Sequence, residues 1–63
     1  MNKLLEFKKN KGMTEQQLSS FLGIPFSTVA KYVQGVIKPG IKNALLIEKK
    51  TEGYVTVDYW INL

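Results

Sequence analysis

The sequence predicts an all-α protein, a compact bundle of four to five short helices. Three observations carry that prediction. Apolar residues recur at three- and four-residue spacings along most of the chain. Each run stops at a glycine, at Gly12, Gly23, Gly35 and Gly53. Helix-start signals stand where the next runs begin, a capping box at Thr14 and a proline at Pro25.

The first helix is expected over residues 2 to about 9. Leu4, Phe7 and Leu5 fall near one face, with Lys3, Glu6 and Lys9 outside. Asn10-Lys11-Gly12 ends it. Thr14-Glu15-Gln16-Gln17 then offers a reciprocal cap: the Thr14 hydroxyl accepts from the Gln17 backbone, and the Gln17 side chain reaches back. Met13 and Leu18 stand at the staple positions on either side of the first turn. The second helix runs to about Leu22, with Leu18 and Leu22 inward and Ser19 small enough for close helix approach. Gly23 permits the positive φ that turns the chain, and Ile24 plugs the corner.

Pro25 opens the third helix, where a missing N–H costs nothing. Val29, Tyr32 and Val33 make its inner stripe, and Ser27, Thr28, Lys31 and Gln34 point elsewhere. Lys38-Pro39-Gly40 is a loop. The fourth helix is expected near residues 41–50, with Ile41, Ala44, Leu45 and either Glu48 or Ile47 inward. The tail is open between two forms. Tyr54 to Val57 have strand propensity, but Thr56 can cap a short helix with Asp58 in its first turn. A lone strand lacks a partner within the chain, which favours the short helix.

Sixty-three residues are read as one domain spanning 1–63. A chain of this size buries only about 60% of its unfolded surface, so tight packing or self-association must supply stability. Cysteine and histidine are both absent, which excludes disulfides and leaves no ordinary structural zinc site. Five acids form no paired-carboxylate motif, and no glycine-rich phosphate loop occurs, so catalysis is not expected. No cofactor and no small-molecule ligand are expected. No apolar run resembles a signal peptide or reaches the roughly 18 residues of a membrane span, and no lysine-rich amphipathic helix marks a membrane-surface binder. A cytoplasmic protein is expected.

Nine lysines, no arginine and five acids leave a net charge of +4. That balance suits solubility and also suits polyanions. Two short helices joined at a glycine, the second with a polar outer face, form a helix-turn-helix pattern. The first helix sets the angle of the second, which can then enter a major groove about 12 Å wide. Without arginine, base reading would fall to lysine, glutamine, serine, threonine and apolar contacts.

These residues also carry a resemblance. KGMTEQQLSSFLGIPFSTVAKYVQGVIKP, residues 11–39, resembles the helix-turn-helix of Cro and cI-type (XRE-like) phage repressors. The shared features are Gly-apolar-Thr before the second helix, Leu-x-x-x-Leu-Gly-Ile at the corner, Val29 and Tyr32, and the closing glycine and Lys-Pro. NALLIEKKTEGYVTVDYW, residues 43–60, looks like the fourth helix and tail of small Cro-like regulators. The resemblance implies a lambda-repressor-like fold and sequence-specific binding of double-stranded operator DNA in a bacterial host cell. It also implies a homodimer, for which the C-terminal Val55, Val57, Tyr59 and Ile61 offer apolar material.

By the same resemblance, Phe26, Ser27, Thr28 and Lys31 face base edges, and Gln16 or Gln17 and Lys38 meet the phosphate backbone. Lys42 can add to that contact. Glu15 and Pro25 depart from the family pattern: a carboxylate repels phosphate, and proline forfeits a capping bond worth roughly 1 kcal/mol. Phe26 departs too. It either packs on a thymine methyl or sugar, or it is a core residue that reads nothing. Phe21 is either a second contact patch or a partly covered aromatic. Trp60 closes the core. The alternative function is a helix-turn-helix scaffold serving as a protein-interaction module or antitoxin, with weak or no DNA binding.

Overall fold

A computed structural model describes residues 2–63. Capping and apolar spacing place five helices there: α1 (Lys3–Asn10), α2 (Glu15–Leu22), α3 (Phe26–Gln34), α4 (Ile41–Lys50) and α5 (Val57–Ile61). Among the described residues there is no strand. The tail is helical because Thr56 caps α5, its hydroxyl accepting from the Tyr59 N–H at 3.1 Å.

Asn2 is the cap of α1 rather than its first residue. Its Oδ1 accepts from the Leu4 and Leu5 N–H groups at 2.7 and 3.1 Å. Its Nδ2 donates to the Tyr32 carbonyl at 2.8 Å. One side chain thus starts α1 and ties it to α3. The capping box of α2 forms as expected: the Thr14 N–H donates to Gln17 Oε1 at 2.9 Å and the Gln17 N–H to Thr14 Oγ1 at 3.1 Å.

At the corner between α2 and α3, Gly23 adopts φ +73° with open space where a Cβ would point. Glycine is required there for its backbone conformation, not for room. Ser19 fastens the corner. Its carbonyl accepts from the Gly23 and Ile24 N–H groups, and its hydroxyl donates to the Ile24 carbonyl at 2.6 Å. Ile24 is buried beneath the turn.

One face of α4 departs from expectation. Ala44, Ile47 and, just past the helix, Thr51 are buried, whereas Ile41 is 65% and Leu45 54% exposed. The returning tail sets this orientation. The Val57 N–H donates to Glu48 Oε1 at 2.8 Å. Thr51 Oγ1 donates to the Ile47 carbonyl at 2.7 Å and accepts from the Val55 N–H at 3.2 Å. Glu48 is half-buried and sits favourably at the start of α5. These polar bonds turn α4 so that two apolar residues face outward.

The core joins Leu4, Phe7, Leu18, Leu22, Val29, Val33, Ile47 and Val55, with Tyr32 and Trp60 closing one end. Val55 is fully buried, so it is core and not exposed dimer material. Trp60 is buried as expected and lies edge-on to Tyr59, 4.9 Å between centroids. Tyr59 reaches back to α1, its hydroxyl accepting from the Lys3 N–H at 3.2 Å.

Candidate nucleic-acid interface

The candidate surface is built on α2 and α3, which pack more extensively on each other than any other helix pair. Val29, Tyr32 and Val33 are held in the core, and Asn43 donates to the Tyr32 hydroxyl at 2.9 Å from α4. With that stripe fixed, Ser27, Lys31 and Gln34 form an outward row at i, i+4 and i+7. All three are exposed. Thr28 is half-buried on one flank of the row. Phe26, at the front of α3, is 51% exposed and outside the core cluster. It is therefore not a core residue.

Pro25 is the cap position of α3, and no side chain caps this helix. The expected loss of a capping bond is real, and the Pro25 carbonyl still accepts from the Thr28 and Val29 N–H groups. Gln16 and Gln17 are exposed in the first turn of α2. Gln17 Oε1 is engaged by the Thr14 N–H, which pins the side chain while leaving its amide donors. Glu15 is half-buried and lies 3.8 Å from Lys8 Nζ, so its charge has a partner beside it. Lys38 is exposed in the loop between α3 and α4.

Charge is unevenly spread. From Gln16 to Ile47 the chain carries Lys31, Lys38 and Lys42 and no acid. The remaining residues hold six lysines against five acids. Three of the four net positive charges thus belong to the stretch that runs from the second residue of α2 through α3 and into α4. This acid-free window was readable in the sequence as a gap between Glu15 and Glu48. Gln34 was also readable, through its seven-residue spacing from Ser27, but stood outside the expected set of contacts.

Among the described residues no cluster of His, Cys, Asp or Glu could hold a metal ion, and no helix is long and apolar enough to cross a membrane.

A glycine corner, a buried inner stripe and a polar outer row on the second helix define a helix-turn-helix protein of the DNA-binding class. The family model described as helix-turn-helix matches residues 4–58. The chain belongs to that family, of the Cro/cI-like (XRE-like) kind. No curated protein and no solved structure matches it.

Proposed function

We propose that this chain is a sequence-specific, double-stranded DNA-binding repressor of the Cro type that sets α3 in the major groove. The observation that carries the reading is the outward row Ser27, Lys31 and Gln34 within an acid-free, lysine-bearing segment. Ser27, Thr28 and Lys31, with Phe26, face base edges. Gln16, Gln17 and Lys38 position the protein on phosphates.

A single α3 reads only a few base pairs, so discrimination calls for two half-sites about 34 Å apart. The C-terminal half supplies apolar surface for pairing. Ile41 and Leu45 on α4 and Ile61 and Leu63 in the tail are all more than half exposed. A groove of about 270 Å³ runs between α4 and α5, with Ile41, Ala44, Val57, Trp60 and Ile61 in its lining and Lys38 and Pro39 at the end towards α3. We assign the homodimer contact to this face.

Selection of bound sites from a random duplex pool tests the reading, followed by salt titration of the recovered site. The expected product is a palindrome with fixed half-site spacing. Lys38→Ala should weaken binding to all sequences and lower the salt slope by about 0.9 per subunit. Lys31→Ala should cost about 1–3 kcal/mol on the selected site and relax its sequence. Failure to enrich any duplex at low salt would sink this function and favour a protein-interaction or antitoxin role.

A further inference from the structure

Phe26 is a large apolar side chain at the front of α3 that the fold leaves unused. It is outside the core cluster, and among the described residues it belongs to none of the aromatic pairs. We propose that Phe26 reads the C5 methyl group of a pyrimidine, so that the protein selects thymine or 5-methylcytosine over unmethylated cytosine at one position of each half-site. This rests on the DNA-binding reading above and names what that surface recognises.

The chemistry of the groove argues for the methyl. Base edges in the major groove present hydrogen-bond donors and acceptors, and the thymine C5 methyl is the one alkyl group among them. Phosphate offers a phenyl ring an ionic, hydrated neighbour, and a contact with the uncharged deoxyribose would carry no sequence information. The N-terminal residues of a recognition helix are the ones that approach base edges, and Phe26 is the first residue of α3. Ala30 lies one turn behind it at i+4 and is half-buried. Phe26 and Ala30 make a short apolar strip beside the polar row of Ser27, Lys31 and Gln34.

The composition of that row raises the weight of the strip. Arginine, the commonest two-bond reader of guanine, is absent from the chain. Ser27 and Lys31, with Thr28 on their flank, accept several bases, and Gln34, a two-bond reader of adenine, lies two turns behind the front of the helix. Where the polar contacts are permissive, an apolar contact that only one group satisfies becomes a main source of discrimination. Burying one methyl is worth about 0.8 kcal/mol, which corresponds to about a fourfold change in affinity. A cytosine at that position would gain the same factor on C5 methylation. Binding would then respond to the methylation state of the DNA.

The test starts from the duplex recovered by random-pool selection. Each thymine is replaced in turn by deoxyuridine, which removes the methyl and leaves the hydrogen-bonding edge intact. One position per half-site should lose about fourfold with the wild-type protein and nothing with Phe26→Ala. At that position cytosine should bind weakly, and 5-methylcytosine should recover about fourfold for the wild type alone. Phe26→Leu should keep part of the preference, and circular dichroism should show all three proteins equally helical. A site with no methyl-sensitive position overturns the proposal and leaves DNA binding standing. An equal uracil penalty in wild type and Phe26→Ala overturns it too, because another residue then reads the methyl. If no duplex is enriched at all, the DNA-binding reading has failed and this one falls with it.

Discussion

Glu15 stands where a carboxylate works against phosphate, but Lys8 lies 3.8 Å from it and both side chains are less than one-third exposed. The ion pair draws part of the negative charge back into the protein and limits the repulsion. Its removal should therefore show mainly in binding. Glu15→Gln is expected to raise affinity for random duplex severalfold at low salt, with the gain shrinking as salt screens it. Thermal stability should change by no more than about 0.5 kcal/mol, since pairs of this kind contribute little. Fluorescence anisotropy across a salt series, alongside a melting curve, measures both. Thr14 acts in the opposite way. Its hydroxyl supports the first turn of α2 and its N–H holds Gln17, so Thr14→Ala should cost about 1 kcal/mol of stability. For a protein of this size that is a fall of about 4–8 °C in melting temperature.

The corner between α2 and α3 and the rotation of α4 decide what the elements present. Gly23 sits at φ +73° with no atom in the way of a side chain. Gly23→Ala should therefore destabilise by about 1–2 kcal/mol from backbone strain alone. A denaturant midpoint shifted at constant m-value would confirm that cause. On α4, Ile41 and Leu45 face solvent. Ile41→Lys and Leu45→Lys should leave the fold within about 0.5 kcal/mol of wild type, although both are apolar residues at helical spacing. If the face they form pairs two copies, the same substitutions should lower the dimer fraction in sedimentation velocity and weaken operator binding without touching α3. A large loss of stability in the monomer would mean that the two side chains are buried after all.

Periodicity shows why these two elements differed in legibility. In α3 the apolar residues Val29, Tyr32 and Val33 make a single stripe, so the inner face, and with it the outward row, could be read from spacing. The α4 sequence IKNALLIEKK has apolar residues on more than one side. Spacing therefore admits two rotations, and the choice falls to bonds from Glu48 and Thr51 to residues up to nine positions on. Val55 departs from expectation for a related reason. It lies between elements, where no period assigns a face, and the Thr51 hydroxyl pulls it into the core. Phe26 could not be placed by spacing, because it lies at the very start of a helix where the core stripe is not yet established.

At the scale of the molecule, the chain is closed by its ends. Tyr59 holds α1 through the Lys3 N–H, and Tyr54 spans from Asn10 to Glu6 through its hydroxyl. Tyr32 and Trp60 bring α3 and α5 together with centroids 6.2 Å apart. A core this small rarely supplies more than about 3–5 kcal/mol. Trp60→Ala removes about that much and should leave the protein largely unfolded at 25 °C by circular dichroism. Trp60 is also the one tryptophan in the sequence and borders the α4–α5 groove. Its fluorescence should therefore change with protein concentration if two copies meet there, and should stay constant if they do not.

Local signals in the chain account for the helical class, for most helix boundaries to within a residue, for the corner at Gly23 and for the inner stripe of α3. Each of these depends on local chemistry: caps, positive φ and i, i+3, i+4 spacing act within a few residues. Long-range packing settles which side of α4 is buried, that Val55 belongs to the core, and that Phe26 stands free at the front of α3. Those outcomes depend on hydrogen bonds and packing between segments distant in the chain or on the space around a helix end, and no short window of sequence contains them.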